Sequence, residues 1–157
     1  MALNKEIVNL LKRKKLKIAV AESCTGGMLS NSITSISGSS KVFIVGLVTY
    51  SNNSKIQILK VPKKIIKKNG AVSSQCCSSM VNNLGRISRA QLCVSITGIA
   101  GPTGGTKSKP VGLVYIGIKK KKLLKIFKFK IKNNGRNYVQ KRTTIIALQI
   151  IKDIILT

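Results

Sequence analysis

Three short apolar runs, separated by segments with helical patterns, constrain the fold of this chain more than any other feature. The runs are residues 17–20 (KIAV), 41–51 (KVFIVGLVTYS) and 92–96 (LCVSI). Strands that alternate with helices predict a parallel sheet, whereas the adjacent runs VGLVYIGIKKKK and LLKIFKFKIK predict an antiparallel hairpin. We therefore predict a single-domain, layered α/β fold over residues 1–157, with a mostly parallel sheet, one hairpin and helices on both faces.

The spacing of apolar residues predicts six helices. They are residues 4–15, a helix that starts close to Gly26, the short segments NSKIQIL and PKKIIKKNG, a helix that starts at Ser73, and residues 136–156. We expect Asn4 and Ser73 to cap their helices, Pro62 to lie in a first turn, and Gly70 to end a helix. Gln149, Lys152 and Asp153 interrupt the last apolar face, which falls short of the ~20 apolar residues of a membrane span. We expect no membrane partner.

The charge of the chain raises the question of nucleic-acid binding. Lys and Arg number 29 against 3 acids, for a net charge of +26. One interpretation is a nucleic-acid-binding protein; the other is lysine spread over permissive surface sites. The lysines occur in every part of the chain, aromatic residues make up only 4%, and no nucleic-acid-binding motif is present. We therefore predict no specific nucleic-acid partner, although weak adhesion to polyanions is expected.

The cysteines and the absence of histidine bound the chemistry. Cys24, Cys76, Cys77 and Cys93 form no CxxC pair, and residues 1–17 do not read as a secretory signal. Reduced thiols and a cytoplasmic location are therefore predicted. With no histidine and no paired cysteine motif, we predict no metal site.

Polar, flexible segments follow the three predicted parallel strands: ESCTGG, TYSNNSK and TGIAGPTGG. The carboxyl ends of parallel strands are where such sheets place ligands. GPTGGTKS does not have the spacing of a P-loop, because Thr106 separates Gly105 from Lys107 and a strand follows instead of a helix. These segments therefore predict a site at one edge of the sheet without a phosphate-binding P-loop.

Few side chains in these segments can carry catalysis. We expect Cys24 to be a buried apolar residue, because a cysteine nucleophile is usually activated by histidine. Glu22 is expected to cap the neighbouring helix or to pair with a lysine. Ser23 lies where a strand meets a helix, and a lysine made neutral by burial could take its proton, while the amides of Gly26 and Gly27 stabilise an oxyanion. The pattern alone does not select one lysine as that base.

Several motifs together resemble the carboxy-terminal domain of the CinA family. AESCTGG, GLVTYSNNSK, GAVSS, SITGIAGPTGG and KPVGLVY occur in the order and with the spacing of that family, over essentially the whole chain. The family includes bacterial nicotinamide-nucleotide amidases. The resemblance implies hydrolysis of the carboxamide of nicotinamide mononucleotide by a serine–lysine mechanism without metal or other cofactor. We expect a small nucleotide as substrate and a homo-oligomer.

The resemblance also implies roles for particular residues. Ser23 would be the nucleophile, Lys55 the general base, Tyr50 a hydrogen-bond partner of the lysine or the substrate, and Thr97 a supporting hydroxyl. Arg136 would bind the substrate phosphate or lower the pKa of a lysine. The substrate would also contact glycines of the same motifs, which are Gly26, Gly27, Gly98 and Gly101.

The chain departs from the family pattern at a few positions. Thr103 replaces a common acid, and Asn137 and Gln140 stand where the family commonly has an aspartate and a second arginine. The five implied site residues are present, which favours an active enzyme over a non-catalytic nucleotide-binding module or a basic nucleic-acid-binding protein. The amino-terminal domain of longer members is absent from this sequence, which predicts the stand-alone form.

Overall fold

A computed structural model describes all residues 1–157. The elements, in chain order, are α1 (Leu3–Lys14), β1 (Ile18–Glu22), α2 (Met28–Thr34), β2 (Phe43–Val48), α3 (Asn52–Gln57), α4 (Lys63–Asn69), α5 (Ser74–Ser88), β3 (Leu92–Gly98), β4 (Leu113–Lys120), β5 (Leu123–Lys130) and α6 (Arg136–Leu156). A single 3-10 turn, Ser39–Lys41, precedes β2 and was not predicted.

The five strands form one mixed sheet in the order β2-β1-β3-β4-β5. β1 pairs in parallel with both β2 and β3, whereas β4 pairs antiparallel with β3 and with β5. Only β4 therefore runs against the common direction. The predicted α/β fold, with its mostly parallel sheet and its hairpin, is confirmed.

Helices cover both faces of the sheet, as predicted. The alternation along β1 shows why: Ile18 and Val20 belong to a core with α1, α2 and α6, and Ala19 and Ala21 belong to a second core with α5. Consecutive side chains of a strand point to opposite faces, so a central strand needs apolar residues at every position. Every residue of β1 is accordingly buried.

The helix ends agree with the sequence predictions at most positions. The Ser73 hydroxyl accepts a hydrogen bond from the Cys76 amide at 3.1 Å, so the predicted cap of α5 is confirmed. Gly70 ends α4 with a φ of 80°, and Pro62 is its N-cap, one position before the predicted first turn. The predicted cap at Asn4 is wrong.

The Asn4 prediction fails because α1 begins one residue earlier, at Leu3, behind an Ala2 N-cap without a side-chain bond. The Asn4 amide group instead donates to the Ser32 carbonyl at 2.9 Å and so ties α1 to α2. α6 has the bounds that its sequence predicts, and it packs in the core. No helix in the structure is both long enough and apolar enough to cross a bilayer.

Candidate active site

The carboxyl ends of β1, β2 and β3 meet at one edge of the sheet, beside a cavity of about 300 Å³. Ser23 follows β1 directly, Lys55 lies in the helix after β2, and Thr97 is near the end of β3. All three line the cavity, and Arg136 lines it from the start of α6. The fold thus brings together segments that are far apart in the sequence.

The closest contact of chemical interest joins Ser23 and Lys55. The Ser23 Oγ and Lys55 Nζ atoms are 2.9 Å apart, and Lys55 is only 1% exposed. Lys55 Nζ also donates to the Thr49 carbonyl at 2.8 Å and lies 3.3 Å from the Tyr50 carbonyl. In the structure Lys55 Nζ donates to Ser23 Oγ. A neutral amine has two N–H donors and one lone pair, and two carbonyl acceptors with a hydroxyl that can also donate satisfy that form.

Burial lowers the pKa of Lys55 below its ordinary value of 10.5, because an ammonium ion loses its hydration inside the protein. The neighbouring Cys76 and Cys24 act in the opposite direction, and burial is the larger effect. The one salt bridge in the structure joins Lys152 and Glu6, so no carboxylate forms an ion pair with Lys55. Desolvation therefore favours the neutral form of this amine, the form that accepts a proton.

The local sequence directs Lys55 toward Ser23. The Ser51 hydroxyl caps α3 by accepting from the Ser54 amide at 3.0 Å, and the Lys55 amide donates to the Ser51 carbonyl. Side chains of a helix point toward its N-terminus. The amine of Lys55 is therefore carried back to the carbonyls of Thr49 and Tyr50, at the end of β2.

The turn that carries Ser23 is held at both ends. The Ser23 amide donates to the Ile96 carbonyl at 3.0 Å, and the Gly26 amide donates to the Ser23 carbonyl at 2.9 Å. Gly26 and Gly27 have φ values of 58° and 99°, a region that glycine enters without strain. The chain therefore leaves the strand in a tight turn and enters α2 within five residues.

A buried carboxylate anchors that turn. Glu22 Oε1 accepts from the Thr25 hydroxyl at 2.6 Å and the Leu29 amide at 2.9 Å. Glu22 Oε2 accepts from the amide and the hydroxyl of Ser30 at 2.9 and 2.7 Å. Of the two expected roles for Glu22, helix capping is confirmed and pairing with lysine is not observed. A negative charge at this end of α2 also suits the helix dipole.

The remaining predicted residues lie around the cavity with different partners. The Thr97 hydroxyl donates to the Ala71 carbonyl at 2.9 Å. Arg136 donates to the Gly101 carbonyl at 2.8 Å and to the Tyr50 hydroxyl. Tyr50 thus contacts Lys55 through its carbonyl group, and its hydroxyl is paired with Arg136.

The four predicted glycines divide into two groups. Gly98 and Gly101 line the cavity, whereas Gly26 and Gly27 lie outside its wall. The Gly26 amide is also occupied by Ser23, so it is not free to stabilise an oxyanion. Sequence reasoning also missed several wall residues, among them Asn52, Ala71, Val72, Ile99 and Ala100. Each lies within or beside a quoted motif, which was the available signal.

Cys24 lines the cavity but is poorly suited to act as a nucleophile. Burial raises the pKa of the Cys24 thiol to about 12, so the reactive thiolate is scarce near neutrality. This agrees with its predicted role as a buried apolar residue. Gln140, at one of the positions that depart from the family pattern, donates to the Cys24 carbonyl at 2.8 Å. No group of three His, Cys, Asp or Glu side chains is placed to share a metal ion.

The glycine-rich loop after β3 is not a P-loop, as the sequence indicated. Pro110 and a strand, β4, follow it, so no helix N-terminus faces the Lys107 region. Thr103 and Gly104 of the loop contribute to the cavity wall. The loop therefore closes one side of the cavity.

Comparison with known proteins gives consistent matches. The family model of the CinA C-terminal domain matches residues 1–155. A CinA-like protein from Thermotoga maritima is 46% identical over 144 residues, which are 91% of this chain and 35% of that protein. A CinA-like protein from Dictyoglomus thermophilum is 44% identical over 151 residues, which are 96% of this chain and 36% of that protein. The chain thus spans little more than a third of the length of these curated relatives.

Solved structures agree over a larger share of their length. The competence/damage inducible protein CihA from Agrobacterium tumefaciens has a TM-score of 0.94 and 36% identity, covering 96% of this chain and 92% of that one. A competence or damage-inducible protein from Enterobacter asburiae has a TM-score of 0.93 and 26% identity, covering 98% of this chain and 96% of that one.

Proposed function

Because this chain belongs to the CinA C-terminal domain family, we propose that it hydrolyses the carboxamide of nicotinamide mononucleotide to nicotinate mononucleotide and ammonia. The activity and the substrate are those that the sequence motifs imply. One observation carries the proposal: the Ser23 hydroxyl lies 2.9 Å from the amine of a buried lysine, beside a cavity.

The first chemical step is proton transfer from Ser23 to Lys55. A serine hydroxyl attacks a carboxamide poorly until a base removes its proton, and neutral Lys55 is within hydrogen-bonding distance to do so. The two carbonyls of Thr49 and Tyr50 occupy the amine's own N–H groups, which turns the lone pair toward Ser23. Ser23 Oγ then forms a bond with the carboxamide carbon.

The later steps return the proton and release the products. Protonated Lys55 gives its proton to the carboxamide nitrogen, the C–N bond breaks, and ammonia leaves an ester on Ser23. Neutral Lys55 then takes a proton from water, which attacks that ester. The acid is released, Ser23 regains its proton from Lys55, and the pair is ready for another cycle.

An oxyanion in this reaction needs donors other than the predicted Gly26 amide. Cys24, Ala100 and Gly101 are in the cavity wall, and their amides donate to no acceptor within the protein. A free backbone donor in a buried wall stabilises developing negative charge without reorganisation. We propose that the oxyanion is stabilised by amides of this set in place of Gly26.

The cavity suits an anionic mononucleotide. Its volume of about 300 Å³ is at the lower end for sites that bind small molecules. Its wall contains no acidic side chain, and Arg136, which is exposed, presents a guanidinium group at its edge. A guanidinium group binds phosphate through two parallel hydrogen bonds. The carboxamide would then lie at Ser23 and the phosphate toward Arg136.

The proposal is tested by ammonia release from nicotinamide mononucleotide by the purified chain. Ser23→Ala and Lys55→Ala should each reduce the rate by at least about a thousandfold, the scale seen when a catalytic nucleophile or base is removed. Ser40→Ala and Lys64→Met alter exposed residues of the same types and should keep the full rate. Full activity in Ser23→Ala would remove Ser23 from the mechanism.

Two other outcomes would assign the chain to a different class. Binding of the mononucleotide without any ammonia release would identify a non-catalytic nucleotide-binding module. Tight nucleic-acid binding that persists at moderate salt, together with no ammonia release, would identify a nucleic-acid-binding protein, since nonspecific adhesion weakens steeply with salt.

A further inference from the structure

A second cavity, of about 340 Å³, lies at the end of the sheet opposite to Ser23. Cys93, near the start of β3, lines this cavity, whereas Thr97, near the end of the same strand, lines the candidate active site. Four residues at about 3.3 Å each put these two positions roughly 13 Å apart. The second cavity is therefore separate from the site of the proposed reaction.

Cationic side chains line this second cavity, and no acidic side chain does. Arg86 and Arg89 come from the last turn and the C-cap of α5. Lys119 is near the end of β4, and Lys121 is in the turn that follows. A cation at the end of a helix also suits the helix dipole, but the two lysines lie outside any helix. Cations from separate segments of the chain thus converge on one cavity.

The two arginines distinguish this cavity from the general lysine surface. Arginine is rare in the chain, and apart from Arg86 and Arg89 it occurs only at Arg13, Arg136 and Arg142. Lysine spread over permissive surface sites does not account for two arginines on one cavity. A guanidinium group binds phosphate through two parallel hydrogen bonds, whereas an ammonium group acts as a point charge. The arginines therefore indicate a phosphate ligand more specifically than positive charge alone does.

Most donors of these cations have no partner within the protein. The side chains of Arg89, Lys119 and Lys121 make no hydrogen bond, and none of them takes part in the salt bridge of the structure. Arg86 donates one bond, to the Asn83 side chain at 3.2 Å, and a guanidinium group has five N–H donors. The cavity therefore offers many free donors to a ligand.

Other cavities that lysine lines do not have these properties. In the cavity beside the end of α1, Lys12 and Lys17 donate their amine protons to backbone carbonyls. The cavity beside α4 takes its cations, Lys64, Lys67 and Lys68, from that one short helix. Of these three cavities, only the one between α5 and β4 combines arginine with free cations from different elements.

The backbone at two of the cations has a conformation that favours glycine. Arg89 and Lys121 both have a φ of 56°, the first at the C-cap of α5 and the second in the turn between β4 and β5. This left-handed conformation is unfavourable for a residue with a Cβ atom, and glycine or asparagine is usual at both kinds of position. Local stability therefore does not explain a cation at either position, whereas contact with a ligand does.

We propose that this cavity binds a compact polyphosphate, which is a ligand with at least two linked phosphate groups. One phosphate group carries up to about two negative charges near neutral pH, so two groups are needed to balance the cations of the wall. Arg86 and Arg89 bind phosphate oxygens through their N–H groups, and Lys119 and Lys121 neutralise the ligand from the strand side. A volume of about 340 Å³ is sufficient for a small ligand of this kind.

The first test is isothermal titration calorimetry of the purified chain with tripolyphosphate, at about 0.15 M salt. We expect one site per chain. Arg89→Gln combined with Lys119→Gln should weaken binding at least about tenfold, because charge-assisted bonds are lost. Lys64→Gln combined with Lys67→Gln removes the same charge elsewhere and should change the affinity less than about twofold, because salt screens distant charges. Equal weakening by the two double variants, or no saturable binding, would overturn the proposal.

Further arms of the titration identify the place and the source of the ligand. Arg136→Gln should leave the affinity for tripolyphosphate unchanged, and loss of binding in this variant would place the ligand in the candidate active site instead. Inorganic polyphosphate and the tail of a nucleotide share the proposed chemistry. Adenosine triphosphate that binds more tightly than tripolyphosphate would identify a nucleotide, and equal or weaker binding would identify the polyphosphate chain alone. Adenosine should not bind, and an affinity equal to that of the triphosphate would contradict the proposal.

The second test separates ligand binding from backbone strain. Lys60 is exposed, has a φ of 57° and lies outside the cavity, so Lys60→Gly is matched to Arg89→Gly in both charge and conformation. Each substitution relieves a left-handed residue and should raise Tm, on the order of 2 °C. Only Arg89→Gly should also weaken the binding of tripolyphosphate. The same affinity in both variants would show that Arg89 has a structural role alone and would refute its part in the site.

Discussion

Replacement of Lys55 by methionine should change how the stability of the protein depends on pH. Lys55 is buried, and burial lowers the pKa of its amine in the folded state below the value of 10.5 expected in the unfolded chain. Between these two pKa values the unfolded chain binds one proton more than the folded protein. The free energy of unfolding therefore rises with pH in this window, by about 1.4 kcal/mol per pH unit from this one group.

Methionine has nearly the same length and no ionisable group, so Lys55→Met removes this contribution. It also removes the donors to the carbonyls of Thr49 and Tyr50, at a cost of about 1 kcal/mol each that does not depend on pH. The wild type should consequently be the more stable protein near pH 10.5. As the pH falls, the free energy of unfolding of the wild type decreases relative to that of the variant by about 1.4 kcal/mol per pH unit, until the folded-state pKa of Lys55 is reached.

Urea unfolding followed by circular dichroism measures this difference at a series of pH values. Lys64→Met is the control, because Lys64 is an exposed lysine and its variant should differ from the wild type by an amount that hardly changes with pH. A difference between wild type and Lys55→Met that stays flat up to pH 10.5 would show that Lys55 titrates normally. In that case the argument for a neutral amine beside Ser23 would fail.

Three other expectations follow from the contacts of the site. Glu22→Gln should lower the free energy of unfolding by about 2–4 kcal/mol in urea titrations, because a buried carboxylate with four hydrogen bonds becomes an amide facing donors. Glu6→Gln, at a partly exposed ion pair, should cost less than about 1 kcal/mol and serves as its control. The Cys24 thiol should react with a disulfide reagent far more slowly in the folded protein than in urea, because burial raises its pKa to about 12; equal rates would contradict this. If Arg136 binds the phosphate, Arg136→Gln should raise KM by about 10- to 100-fold with little change in kcat, whereas the nucleoside without phosphate should be hydrolysed equally by both proteins.

Local sequence patterns predicted the elements well where the interactions that define them are local. The cap at Ser73 uses an amide three residues away, and the bounds of α6 follow from its own apolar spacing. Asn4 had an equally suitable local pattern, yet its side chain bonds to Ser32, which is 28 residues away in the chain. A competing contact of that kind depends on how α1 and α2 pack, which no local pattern contains.

The sequence by itself determined the α/β order of elements, the segments at the carboxyl ends of the strands, and the motifs that contain Ser23 and Lys55. It did not distinguish Lys55 from the other lysines on physical grounds, because every lysine has the same intrinsic pKa. Only the tertiary structure removes one of them from water and places two carbonyls and a hydroxyl around its nitrogen. The same holds for the amides: Gly26 satisfies its own turn, whereas an unpaired amide at Ala100 lies in the loop after β3. Desolvation and hydrogen-bond competition depend on residues distant in the chain, so the fold decides them.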